Sequence, residues 1–166
     1  VLVAVADGSI KGIKSIQNLT KNDQMELSPK NKYIVYSSRQ NENSKNNDIY
    51  ILSVDGTINK KIISNQADDN SPYWSPDGKE VLFITDRFGT HDLWKIKVEN
   101  GSPIGNATSV KSNISSKKRS LLGITNDNAI FYATNNVRTD IYIVNLEQGD
   151  NMNPIKISNL NTERIS

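Results

Sequence analysis

An all-β fold, a β-propeller of four-stranded antiparallel blades, is predicted by three features of this 166-residue chain. One unit recurs three times: a Ser-Pro-Asp-Gly-like turn, an apolar strand, a strand led by Asp and a closing Gly. The closing glycines, Gly56, Gly101 and Gly149, stand 45 and 48 residues apart, which is the length of one blade. Apolar side chains within the strands alternate with period two, and no stretch of useful length carries a helical period. About three full blades fit, with partial blades at both ends.

The chain opens on a third strand. Val1 to Gly8 aligns without a gap on Ile49 to Gly56, and Ile16 to Thr20 is expected to supply the fourth strand. Residues 1–20 are thus half a blade. Blades are expected at 21–64, 65–111 and 112–158, and residues 159–166 match the opening strand of a next one. The first landmark in each blade is a turn: Ser28-Pro29-Lys30-Asn31, Ser75-Pro76-Asp77-Gly78 and Thr125-Asn126-Asp127-Asn128. Pro presets φ, and Gly or Asn tolerates the positive φ that follows. An apolar residue precedes each turn (Leu27, Trp74, Ile124), and a short strand follows it, with Tyr36, Phe83 or Tyr132 at one shared place.

The third strand carries the clearest pattern. Tyr50, Leu52 and Val54 match Trp94, Ile96 and Val98, and these match Tyr142, Val144 and Leu146, all on one face. The opposite face varies, with Ile51 replaced by Lys95. A weaker fourth strand is expected at Lys61–Ser64, Thr108–Lys111 and Pro154–Ile157. By this count a second strand is missing from any fourth blade. The chain therefore reads as a segment of a larger propeller, or as a half that pairs with a second copy into a homodimer, since open blade faces and strand edges invite association. Val1 is not a natural start, so the chain is expected to be processed or trimmed.

Composition narrows the function classes. With 20 basic and 18 acidic residues, the net charge of +2 gives no reason to expect nucleic acid as a partner. Lys117-Lys118-Arg119 is a short basic run of the kind found in solvated loops. There is no cysteine, which excludes disulfides and thiolate metal sites. No apolar stretch is long enough for a membrane span, so direct membrane insertion is not expected.

Trp74-Ser75-Pro76-Asp77-Gly78-Lys79, followed by Phe83, Thr85-Asp86-Arg87, Gly89 and Asp92-Leu93-Trp94, resembles the TolB-like β-propeller repeat. Similar repeats occur in the propeller domains of dipeptidyl peptidase IV, prolyl oligopeptidase and tricorn-type proteases. The first blade keeps Ser28-Pro29, Ser37-Ser38-Arg39 and Asp48-Ile49-Tyr50, whereas the third has lost the Pro and Gly of its turn. The resemblance implies a bacterial periplasmic, secreted or cell-surface protein that binds partners or gates substrates. It identifies an architecture, and function must come from a site.

The residues offer little catalytic chemistry. His91 is the single histidine, and there is no Gly-x-Ser-x-Gly elbow. The recurrence of Asp48, Asp92 and Asp140 argues for a structural role, with Asp92 accepting loop amides. Asp68 and Asp69 could offer oxygens to a hard cation but lack the spacing of a dedicated loop. Asn18, Asn106 and Asn113 begin glycosylation-type triplets, which chance explains in so Asn-rich a chain. Trp74 and Trp94 occupy core landmarks. Tyr73, Arg87, Phe88 and His91 remain as partner-binding candidates, and no cofactor is expected.

The expected function is a non-catalytic, extracytoplasmic binding or scaffolding module that engages a protein or glycan through loops at one mouth of the ring. Two alternatives stand beside it. One is the substrate-gating propeller of a serine peptidase or other hydrolase with its catalytic domain absent. The other is the extracellular sensing domain of a membrane-anchored regulator.

Overall fold

The computed structural model describes residues 2–3, 6–16, 18–19, 24–115, 121–127, 129–132, 142–143 and 155–156. The chain divides into two compact units, Val1–Thr134 and Asn135–Ser166.

In the first unit, β1 (Leu2–Val3) pairs antiparallel with β2 (Ile10–Lys11). Then come β3 (Met25–Leu27), β4 (Tyr33–Arg39), β5 (Asn47–Ser53) and β6 (Asn59–Ile63), which form one four-stranded antiparallel sheet in sequence order. A second such sheet holds β7 (Asp69–Trp74), β8 (Glu80–Thr85), β9 (His91–Glu99) and β10 (Ser102–Ser115). The pair β11 (Leu121–Ile124) and β12 (Ile130–Tyr132) follows. In the second unit, β13 (Tyr142–Ile143) pairs with β14 (Ile155–Lys156).

Two strands differ from their expected places. β1 pairs with Ile10–Lys11, nearer in sequence than the fourth strand expected at Ile16–Thr20, and Gly8, at φ 72°, lies in the connection between them. β10 extends to Ser115, past the boundary expected at residue 111. Register shifts between Ile104 and Thr108 and beyond let it bend and keep following β9. Of the third blade's landmarks, Asn128, Asp140, Ile141, Val144, Leu146 and Gly149 lie outside the described residues, as does Lys117-Lys118-Arg119.

The turns show why Ser, Asp and Gly recur. In Ser75–Gly78, the Gly78 amide donates to the Ser75 carbonyl at 2.8 Å, and φ at Gly78 is 69°. Asn31 takes the same place in the first blade at φ 55°. The leading hydroxyl closes each loop. Ser28 Oγ accepts from Tyr33 N at 3.0 Å, Ser75 Oγ from Glu80 N at 2.9 Å and Thr125 Oγ1 from Ala129 N at 3.0 Å.

Ser53-Val54-Asp55-Gly56 repeats this arrangement between β5 and β6, with Ile58 N on Ser53 Oγ at 2.8 Å. The Ser53 hydroxyl, and then the backbone and hydroxyl of Thr57, hold the Asp55 carboxyl down to about 2. Since that value lies below the unfolded one, its contribution is complete above the ordinary carboxylate range and is lost as pH falls through about 2. Asp55→Ala is expected to flatten the acid limb of stability against pH, measured by urea titration. An unchanged acid limb would contradict this reading.

The second sheet is apolar on both faces. Val81 and Phe83 of β8, Ile96 and Val98 of β9 and Trp74 of β7 pack against Val35, Ile49, Ile51, Ile62 and Ile63 of the first sheet. The other face places Leu82, Ile84, Leu93 and Ile114 against Tyr73, Ile124 and Ile130. Adjacent residues of β8 thus point into different cores, as period two demands for a sheet sandwiched between neighbours. The innermost strands are tied as well: Trp74 N donates to Glu26 Oε2 at 2.6 Å.

Candidate functional site

Because the strands alternate in direction, the loops collect at two ends. The Ser28, Asp55, Ser75 and Asn100 turns share one end, where a Cβ on Gly78 would meet the Pro29 ring at 3.6 Å. The segments 40–46, 64–68 and 86–90 share the other. Here Asn46 Nδ2 donates to Gln66 O at 2.6 Å, Asn47 N to Asp68 Oδ1 at 2.9 Å and Asp68 N to Asp86 Oδ1 at 2.8 Å.

At this second end the β8–β9 loop builds a stack. The Arg87 guanidinium lies 4.1 Å from the centroid of the Trp94 ring and 5.7 Å from that of Phe83. Its Nε donates to Thr85 Oγ1 at 3.1 Å, and its Nη2 donates to Asp69 Oδ1 at 3.3 Å. Phe88 leans on the Trp94 ring at 5.9 Å with an interplanar angle of 32°, yet is 70% exposed. A loop tip with an aromatic ring open to solvent is fixed from beneath by a cation–π contact and an ion pair.

The stack corrects the expected place of Trp94. Trp74 is core, at 4% exposure, but Trp94 is only partly buried. Trp94 stands opposite Phe83 in the ladder near the start of β9, so the core covers part of its ring and Arg87 and Phe88 cover more. Its phase along β9 is as the sequence implies; its depth is not, because depth depends on the loop that folds over it.

The other candidates fall as follows. His91 opens β9 at the foot of the same loop, half-buried. Tyr73 sits on the opposite face of the second sheet, its hydroxyl hydrogen-bonded to the Gln24 side chain, and does not join the stack. Asp68 and Asp69 are both buried. Asp68 accepts from Asn47 N and from Asn70 Nδ2 at 3.3 Å; Asp69 accepts from Arg87 and from Asn65 Nδ2 at 2.7 Å. Their oxygens bind protein donors, and among the described residues no group of three or more His, Cys, Asp or Glu could hold a metal.

Burial pushes the Asp69 carboxyl up, against the opposing pull of Thr85 and Arg87. Asp92 accepts the Asn113 backbone amide at 2.8 Å and the Thr90 hydroxyl at 2.7 Å, the expected structural role. Asp48 pairs with Lys61 at 2.7 Å, and Asp140 lies outside the described residues. The Asp69–Arg87 pair, like the depth of Trp94, is a feature of the site that the sequence reading missed.

A sheet with apolar faces on both sides, packed against a copy of its own repeat and with loops gathered at two ends, defines a β-propeller segment. A family profile described as TolB beta propeller domain matches residues 4–163, and the chain belongs to that family. Over 54 residues it is 37% identical to a TolB homolog of Chlorobium luteolum, a match covering 32% of this chain and 12% of that protein. Over 55 residues it is 27% identical to an uncharacterized protein of Agrobacterium fabrum, covering 33% and 19%. The crystal structure of TolB from Acinetobacter baumannii shares the fold, with a TM-score of 0.54 and 19% identity over 93% of this chain and 36% of that one. The chain spans less than a fifth of the curated relatives it matches. Among the described residues no helix is long and apolar enough to cross a membrane.

Proposed function

We propose that the chain is a non-catalytic, extracytoplasmic binding module that docks a protein through the end bearing Arg87 and Phe88. The observation that carries this reading is an exposed Phe88 ring held on the Trp94–Arg87 stack. Aromatic and Arg side chains dominate protein–protein binding energy when preorganised, because little side-chain entropy remains to be lost on docking. Around them the loops carry Gln40, Asn43 and Gln66, whose side-chain amides are adaptable donors and acceptors.

A protein fits this surface better than a glycan. Neither tryptophan offers a sugar a free indole face: Trp74 is 4% exposed, and Trp94 carries the Arg87 guanidinium at 4.1 Å. The charge of Arg87 is balanced by Asp69, so docking is led by the apolar ring and depends little on salt. The extracytoplasmic placement rests on the resemblance to the TolB-like repeat.

Phe88→Ala separates binding from folding. Its stability cost is expected to stay within about 0.5 kcal/mol, since an exposed ring contributes little to the core. Capture of an envelope protein from the source cell on the immobilised chain should fall at least about tenfold, the loss of one anchor contributing more than ~1.4 kcal/mol. Undiminished capture by the folded variant would remove Phe88 from the interface.

A further inference from the structure

We propose that Asn100–Gly101 is a modification site, where the folded chain deamidates spontaneously to aspartate and isoaspartate. This is the single Asn-Gly pair in the sequence. It forms the two-residue loop between β9 and β10, flanked by the paired residues Glu99 and Ser102. Both loop residues are left-handed, at φ 50° and 72°, as a tight hairpin requires.

The chemistry needs a nucleophilic backbone nitrogen and an electrophilic side-chain carbonyl next to it. The Gly101 nitrogen attacks Asn100 Cγ, the new C–N bond closes a five-membered succinimide, and ammonia leaves with the proton that the nitrogen gives up. Water then opens the ring at one of its two carbonyls, giving aspartate or isoaspartate. Glycine offers no Cβ to hinder the attack. The Asn100 side chain is exposed, and among the described residues nothing holds its amide.

The three Asp-Gly turns make an internal contrast. Asp7, Asp55 and Asp77 precede Gly8, Gly56 and Gly78 and could close the same ring by losing water. Their carboxyls are instead pinned and kept ionised, and a carboxylate is a poor electrophile. Asp7 accepts from Ser9 N at 2.9 Å. Asp55 accepts from Ser53 Oγ at 2.5 Å and Thr57 N at 2.9 Å, and Asp77 from Ser75 Oγ at 2.6 Å and Lys79 N at 3.0 Å. The neutral amide of Asn100 has neither protection.

The site also bears on the contact between sheets. Gly101 is buried, and a Cβ on it would come within 2.8 Å of Tyr33 Cε1 in the first sheet. Beside it, Lys60 Nζ donates to Ser102 Oγ at 3.0 Å. Isoaspartate adds a methylene to the main chain and a negative charge, which moves Gly101 off the Tyr33 ring. Modification at this turn therefore loosens the docking of one sheet on the next.

The test keeps the purified, folded chain in mildly alkaline buffer at body temperature and maps its peptides by mass spectrometry over weeks. The amide-to-acid mass increment is expected at Asn100 ahead of every other Asn. Methyl acceptance from an isoaspartyl methyltransferase should rise in step, and the melting temperature should fall. Asn100→Ser should lose both the increment and the methyl acceptance; if that variant fails to fold, the wild-type peptide map decides alone. An unmodified Asn100 in the folded chain, with conversion only in urea, overturns the proposal, because the turn then protects the bond. Conversion led by another Asn overturns it too.

Discussion

Phe83→Ala is expected to destabilise the chain by about 3–5 kcal/mol, the cost of emptying a large aromatic from a closed core. Phe83 is 0% exposed and stands between Val81 and Trp94 in the ladder that faces the first sheet. Its removal leaves a cavity where the two sheets meet, bounded by β-branched residues whose χ1 is stiff, so little collapse can fill it. Phe83→Leu should cost less, about 1–1.5 kcal/mol, by keeping most of the volume. Trp94→Ala should fall below Phe83→Ala despite the larger ring, since Trp94 is only partly buried. Urea titration measures all three. A loss under about 1 kcal/mol for Phe83→Ala would mean the sheets do not pack on this face.

Asp69→Ala is expected to cost about 3 kcal/mol, at the low end for breaking a buried ion pair because Arg87 keeps 21% of its side chain exposed. Asp69 itself is fully buried, and the variant leaves Arg87 without its carboxylate beneath an apolar stack. Asp69→Asn separates charge from hydrogen bonding. Burial raises the Asp69 carboxyl above its unfolded value, so the wild type loses stability as pH rises through the raised value. The Asn variant lacks that loss, and the gap between the two should narrow from acid to neutral pH. A gap that widens over the same range would contradict the raised value. The Ala variant should also weaken partner capture more than its stability loss explains, because Arg87 no longer holds the loop that presents Phe88.

The alternation along β8 and β9 was legible because the second sheet is covered on both faces and its apolar side chains fall alternately into two cores, and that along β4 and β5 because one face of the first sheet packs into the first of these cores. Asn31 and Gly78 were legible for a similar reason: a left-handed turn position admits few residue types. The partner of β1 and the full length of β10 were not. Both depend on where a hairpin closes and how a bulge absorbs register, and neither leaves a mark in the apolar period. At the site, Arg87 and Phe88 stood out as loop residues in a repeat otherwise built of core positions. The ion pair with Asp69 was hidden because its partners are 18 residues apart and meet only after β7 and β8 pair. The depth of Trp94 escaped for the same reason: the loop that covers it is placed by that pair.

Site-directed photo-crosslinking in the source cell tests the central claim most directly. A photoreactive residue at position 88 reports on the Arg87 end, and one at position 77 reports on the turns at the opposite end. The account predicts a defined protein adduct from position 88, lost in Asp69→Ala, and none from position 77. An adduct from position 77 alone, or an equal yield from both positions, would contradict docking through Phe88.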